Sequence, residues 1–62
     1  MKLYDVPKNS KIRIYYQNLN EKLFQDYTFH HIDGAYSYCT DSNNNIIHIG
    51  ASTEVEIINE NI

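Results

Sequence analysis

Residues 11–17 alternate polar and apolar at a period of two, the spacing of a strand with one buried face. Ile12, Ile14 and Tyr16 share one side, and Lys11, Arg13 and Tyr15 share the other. Pro7 and Asn9 mark a turn ahead of this strand. From Asn18 to Phe24 the alternation breaks. Asn18 and Glu21 have capping-box spacing and Leu19 and Leu23 sit four apart, so this stretch reads as one short helical turn or a polar loop.

A hairpin follows. Residues 25–32 and 35–40 are rich in aromatic and β-branched side chains, and they flank Asp33-Gly34, a dipeptide suited to a two-residue type I′ turn. Residues 41–45 form the next turn, 46–49 a further strand, 50–52 a short break, and 54–58 a last strand. Thr53 and Glu56 also have capping-box spacing, but the Val-Ile-Ile content favours a strand. The pattern predicts one all-β domain over residues 1–62, a small five-stranded SH3-like barrel with at most one short helical turn.

A loop at Asp33-Gly34 pairs Ile32 with Ala35, His31 with Tyr36, Phe29 with Tyr38 and Tyr27 with Thr40, and cross-strand partners lie on one face. Tyr27, Phe29, His31, Tyr36 and Tyr38 then form one face; Thr28, His30, Ile32, Ala35, Ser37 and Cys39 form the other. A five-residue turn at 41–45 pairs Tyr38 with His48 and Cys39 with Ile47. The small-residue face has the look of an interior and the aromatic face that of a recognition surface. The candidate partner-binding residues are therefore Tyr27, His31, Tyr36, Tyr38 and His48. The competing reading is that Phe29 is core, since a one-residue slip exchanges the two faces.

The run Tyr27-Thr-Phe-His-His-Ile-Asp-Gly-Ala-Tyr-Ser-Tyr-Cys-Thr-Asp41, with Ile46-Ile-His48 and Thr53-Glu-Val-Glu-Ile57, resembles small accessory proteins of bacteriophages that have SH3-like barrels. The resemblance spans about half the chain, from Tyr27 onward. It brings no catalytic motif. It implies a protein that binds and blocks a host enzyme or a component of host antiviral defence, acting in the host cytoplasm.

Charge is uneven along the chain. All five basic residues (Lys2, Lys8, Lys11, Arg13, Lys22) precede Leu23, and six of the eight acids follow it. Such asymmetry orients a protein partner better than it grips a phosphate backbone. A nucleic-acid module built on Lys11, Arg13, Tyr15 and Lys22 is the second reading, since basic residues interleaved with a tyrosine suit a single strand. A minor structural or assembly protein is the third.

Catalytic and metal chemistry find little support. His30 and His31, adjacent in a strand, are expected on opposite faces, and His31 and His48 lie two strands apart, roughly 9–10 Å. Tetrahedral zinc needs converging ligands, and Cys39 is the only cysteine. It also permits no intramolecular disulfide. Cys39 and His48 occupy opposite faces in the expected register, so they make no nucleophile–base pair. No enzyme, cofactor or metal is expected. The first seven residues hold no apolar signal-peptide core, and no apolar run approaches a membrane span, so a cytoplasmic location is expected. A 62-residue chain without disulfide or metal has a thin core, and a homo-oligomer, most simply a dimer seamed at strand 46–49, is the expected means of covering a second apolar face.

Partner binding should accordingly survive both Cys39→Ser and a chelator, measured by titration against the captured partner. Loss on chelation that zinc restores would overturn the metal reading. A thermal melt of Cys39→Ser separates a folding defect from a binding one.

Overall fold

The computed structural model describes residues 1–18 and 21–58, with side chains from 1–16 and 23–58. A 3-10 turn, Leu3–Asp5, precedes five strands: β1 Ser10–Asn18, β2 Glu21–Asp33, β3 Tyr36–Thr40, β4 Ile46–Ile47 and β5 Glu56–Ile57. They form one antiparallel sheet in the order β4-β3-β2-β1-β5. The all-β class and the strand count agree with the periodicity. The pairings are those of a sheet with β4 and β5 at its edges. Among the described residues no helix is long and apolar enough to cross a membrane.

β1 follows its alternation: Ile12 and Ile14 are buried, while Lys11 and Tyr15 are exposed. Where a helical turn or a polar loop was expected after it, residues 18 and 21–24 are strand. Asn18 and Glu21 face each other as a strand pair, and residues 21–24 begin β2; Leu19 lies outside the described residues. Pairing β1 over Ser10–Asn18 satisfies the main chain of residues 21–24 better than one isolated helical turn would, whose nucleation is unfavourable.

The β2–β3 hairpin corrects the expected register twice. Asp33 pairs with Tyr36, so the loop is Gly34-Ala35 rather than Asp33-Gly34. Gly34 has φ 63° while Ala35 is not among the positive-φ residues, which suits a II′ turn with glycine first and spares Asp33 a left-handed backbone. This change moves each partner by two positions and leaves the faces as they were. The second change does not. Between Phe29 and His31 the register shifts: Phe29 pairs with Cys39 and His31 with Tyr38, leaving His30 as the extra residue of a β-bulge. One added residue exchanges the faces of everything N-terminal to it. Phe29 turns into the core, Tyr27 packs half-buried against it, and Thr28 comes to the outer side beside Lys11 and Thr40.

The turn after β3 is as expected. Cys39 pairs with Ile47 across the loop of residues 41–45. Asp41 Oδ1 accepts the N–H groups of Asn43 and Asn45, and Asn44 takes the left-handed conformation at φ 63°.

The core lies on the inner face of β1, β2 and β3. Ile12, Ile14, Phe29 and Cys39 meet Leu3, Val6 and Val55 there, with Ile32, Ile49 and Ile57 packed around them. Leu3 N–H donates to Thr53 O, Tyr4 N–H to Ala51 O and Val55 N–H to Met1 O. The N-terminal segment and residues 50–55 are thus sewn together as a cover over the apolar face. Ala51 N–H donating to Ala35 O ties that cover to the hairpin. The buried Ser37 hydroxyl donates to Ile49 O at 2.8 Å, so burying it leaves no orphan polar group.

Phe29→Ala should cost about 3–5 kcal/mol, most of the roughly 3–9 kcal/mol available to a chain this size, and leave it largely unfolded at room temperature. Deleting His30 should be tolerated, because removing the extra residue restores regular pairing with every other side chain on its present face. Urea midpoints of the two variants check both outcomes.

Candidate functional site

The outer face of the sheet reads in rows set by the register. Tyr15 pairs with Phe24, Arg13 with Asp26 and Glu56, Lys11 with Thr28, and Thr28 with Thr40, which in turn faces Ile46. The last row holds His31 opposite Tyr38, with His48 just beyond β4.

Tyr38 is the centre of an aromatic cluster. His31 stacks on it at 5.3 Å between centroids and 12° between planes. His30 meets it edge-on at 5.6 Å, and His48 does so at 6.0 Å. The expectation that His30 and His31 point to opposite faces fails here, because the bulge turns both toward Tyr38. Each imidazole is held. His30 Nε2 lies 3.0 Å from Thr40 Oγ1. His48 Nδ1 donates to Ser37 O at 3.0 Å and His31 Nδ1 to Ile32 O at 3.2 Å. A carbonyl only accepts, so the proton in these two bonds sits on Nδ1, and in the neutral rings Nε2 remains an acceptor.

Of the residues expected to bind a partner, His31, Tyr38 and His48 meet in this cluster. Tyr36 is 59% exposed and lies two residues from Tyr38, hence on the same face. Tyr27 does not join them, since the bulge places it on the inner side against the core. His30 belongs to the cluster although alternation assigned it to the interior; no feature of the His30-His31 pair marks a bulge in advance. Among the described residues no group of three His, Cys, Asp or Glu is placed to hold a metal ion.

The basic strand is electrostatically occupied. Arg13 donates from Nε and Nη2 to the two Asp26 oxygens at 2.7 and 3.0 Å, a bidentate pair, and its guanidinium lies 4.0 Å from the Phe24 ring centroid. Tyr15 packs on Phe24 at 6.2 Å. Lys11, Arg13 and Tyr15 do share the outer face, but Asp26 and Glu56 lie beside Arg13 on either strand. The side chain of Lys22 lies outside the described residues. An open groove of about 420 Å³ is lined by Lys11, Arg13, Asp26, Thr28, Thr40 and Asp41, with Tyr27 also at its wall. Its cations are matched by carboxylates.

Cys39 sits on the other side of the sheet. Its thiol is buried 3.3 Å from Ser37 Oγ, and burial pushes its pKa up, away from the thiolate form. His48 is on the outer face, so the two do not meet.

Three carboxyls are held below their ordinary range. The Arg13 guanidinium does this for Asp26, the Asn45 backbone N–H for Asp41, and the Met1 amine followed by Lys2 for Glu54. A depressed folded pKa contributes stability above the unfolded value and loses it as pH falls through the folded one. Tyr27 has the opposite sense: burial, with a hydrogen bond to Tyr16, pushes it from 10.0 up to about 12. Stability should therefore decline as pH falls below the unfolded values of 3.8 and 4.5, and again as it rises through 9.0 and 10.0, where the unfolded Cys39 thiol and Tyr27 phenol ionise ahead of the folded ones. Urea midpoints across pH measure this. Asp26→Asn should shallow the acid decline and Tyr27→Phe the alkaline one, and a Tyr27→Phe protein with an unchanged alkaline limb would contradict the assignment.

No protein-family model, curated protein or solved structure matches this chain.

Proposed function

We propose that the chain is a non-enzymatic binding protein that docks on another protein through its outer sheet face, centred on Tyr38. The observation that carries this reading is the cluster itself. Three histidines from two segments are packed round one tyrosine outside the core, and each is held by a hydrogen bond to Thr40, Ser37 or Ile32. The core does not need them there. A preordered aromatic surface loses little entropy on binding, and tyrosine offers large area, few rotors and a polar tip. The partner is a host protein, which the chain inhibits, in keeping with the resemblance to host-directed phage proteins. A component of antiviral defence is the foremost candidate. Nucleic acid is the weaker alternative, because Arg13 is paired with Asp26 and the net charge is −3.

A pull-down from host lysate tests the class of partner. One protein recovered in stoichiometric amount, with or without nuclease, supports the proposal; recovery that nuclease abolishes overturns it. Against the recovered protein, Tyr36→Ala and Tyr38→Ala should each weaken binding by about 1–3 kcal/mol with circular dichroism unchanged. Lys11→Glu should act mainly on association rate and its salt dependence.

A further inference from the structure

β1 and β2 continue past the core as a two-stranded ribbon. Among the described residues β5 accompanies β1 at Ile12 and Arg13, with Ile58 N–H donating to Lys11 O beyond them. β3 accompanies β2 only from Thr28 to Asp33. Over residues 14–18 of β1 and 21–27 of β2, no other strand among the described residues pairs with the ribbon's outer edges. The same stretch carries four of the large exposed apolar side chains. Tyr15 pairs with Phe24 on the outer face and Tyr16 with Leu23 on the inner, each about half exposed.

An unpaired edge presents main-chain N–H and C=O groups that another strand can take up, and proteins usually guard it with lysine, proline or a bulge. The edge Ile14-Tyr15-Tyr16-Gln17-Asn18 has none of these and no charged residue. Two strands alone are marginal in water, whereas three or more with an apolar face are stable.

We infer that the open edge of β1 pairs with the same edge of a second copy, antiparallel about a two-fold axis at Tyr16. That axis sets Tyr16 against Tyr16 of the second copy, Tyr15 against its Gln17 and Ile14 against its Asn18. The occupant follows from charge. Each copy carries a net charge of −3, and six of the eight acids lie from Asp26 onward, so two copies avoid opposing like charges along an uncharged strand; residues 46–49, the seam expected from the sequence, are uncharged too, but the strand there is only Ile46–Ile47, shorter than this edge. A partner selected by charge finds nothing here to complement. Isologous pairing needs only a strand compatible with itself, and this edge qualifies. The result is a continuous sheet β2-β1-β1-β2 across the axis, in which the inner-face Tyr16 of each copy meets the other and Leu23 flanks them in the same row.

This reading is separate from the docking face at Tyr38, so the two can fail independently. Sedimentation of the native chain over about a hundredfold dilution should show mass moving between 7.3 kDa and twice that value. Tyr16→Glu, which opposes two like charges at the axis, should raise the dissociation constant by at least about tenfold, while Ile46→Lys on β4 leaves it unchanged. Tyr16→Cys in a Cys39→Ser background should cross-link to a disulfide dimer under mild oxidation, because cross-strand pairs at such an axis fall within disulfide reach. A native mass fixed at 7.3 kDa, equal effects of Tyr16→Glu and Ile46→Lys, or no cross-link at Tyr16 would each overturn the proposal.

Discussion

Burying Phe29 is the constraint on which the rest of the structure depends. Among the described residues the buried apolar set comprises Leu3, Val6, Ile12, Ile14, Phe29, Cys39 and Val55, and Phe29 is the largest of them. Losing one aromatic ring from so small a set would take a large part of the hydrophobic stabilisation with it. Regular alternation along β2 would put Phe29 and His31 on the same face. The bulge at His30 resolves that conflict by adding one residue between them. Phe29 is then inside against Cys39, and both histidines are outside against Tyr38.

The same device makes the outer face what it is. A face relieved of its phenylalanine no longer needs a cover of its own, so its tyrosine and histidines remain available at the surface. Their geometry is not left loose, since main-chain carbonyls and the Thr40 hydroxyl hold the three imidazoles. Charge on this face is equally ordered. The bidentate Arg13–Asp26 pair, with Phe24 beneath the guanidinium, converts what looks like a basic strand into a locally balanced one. Exposed ion pairs of this kind add little stability, but they determine what kind of partner the surface favours.

The core is shorter than the strands that build it. The cover formed by the N-terminal segment and residues 50–55 reaches over Ile12, Ile14 and Phe29 but not over Tyr16 and Leu23. β1 and β2 nonetheless remain paired from Ser10–Phe29 to Asn18–Glu21, so the ribbon projects with apolar groups on both faces and, among the described residues, with no further strand on either edge. The aromatic cluster on the outer face and the ribbon edge are thus separate surfaces. One is made by the bulge and the other by excess strand length.

What the sequence determined by itself was whatever depends on neighbours along the chain. The alternation of residues 11–17, the turn at 41–45 closed by Asp41, and the Cys39–Ile47 register after it are local, because strand pleating and side-chain-capped turns are set within a few residues. From these followed the all-β class, the five strands, and the placing of His31, Tyr38 and His48 together. The tertiary structure alone decided the rest. A one-residue bulge has no compositional mark in Phe29-His30-His31; it arises because the core, gathered from Leu3, Ile12, Cys39 and Val55, needs the phenylalanine on its side. Tyr27 moved inward and His30 outward for that reason. The extension of β2 back to Glu21 likewise required β1 alongside it, since a stretch without alternation becomes strand only when a partner satisfies its main chain.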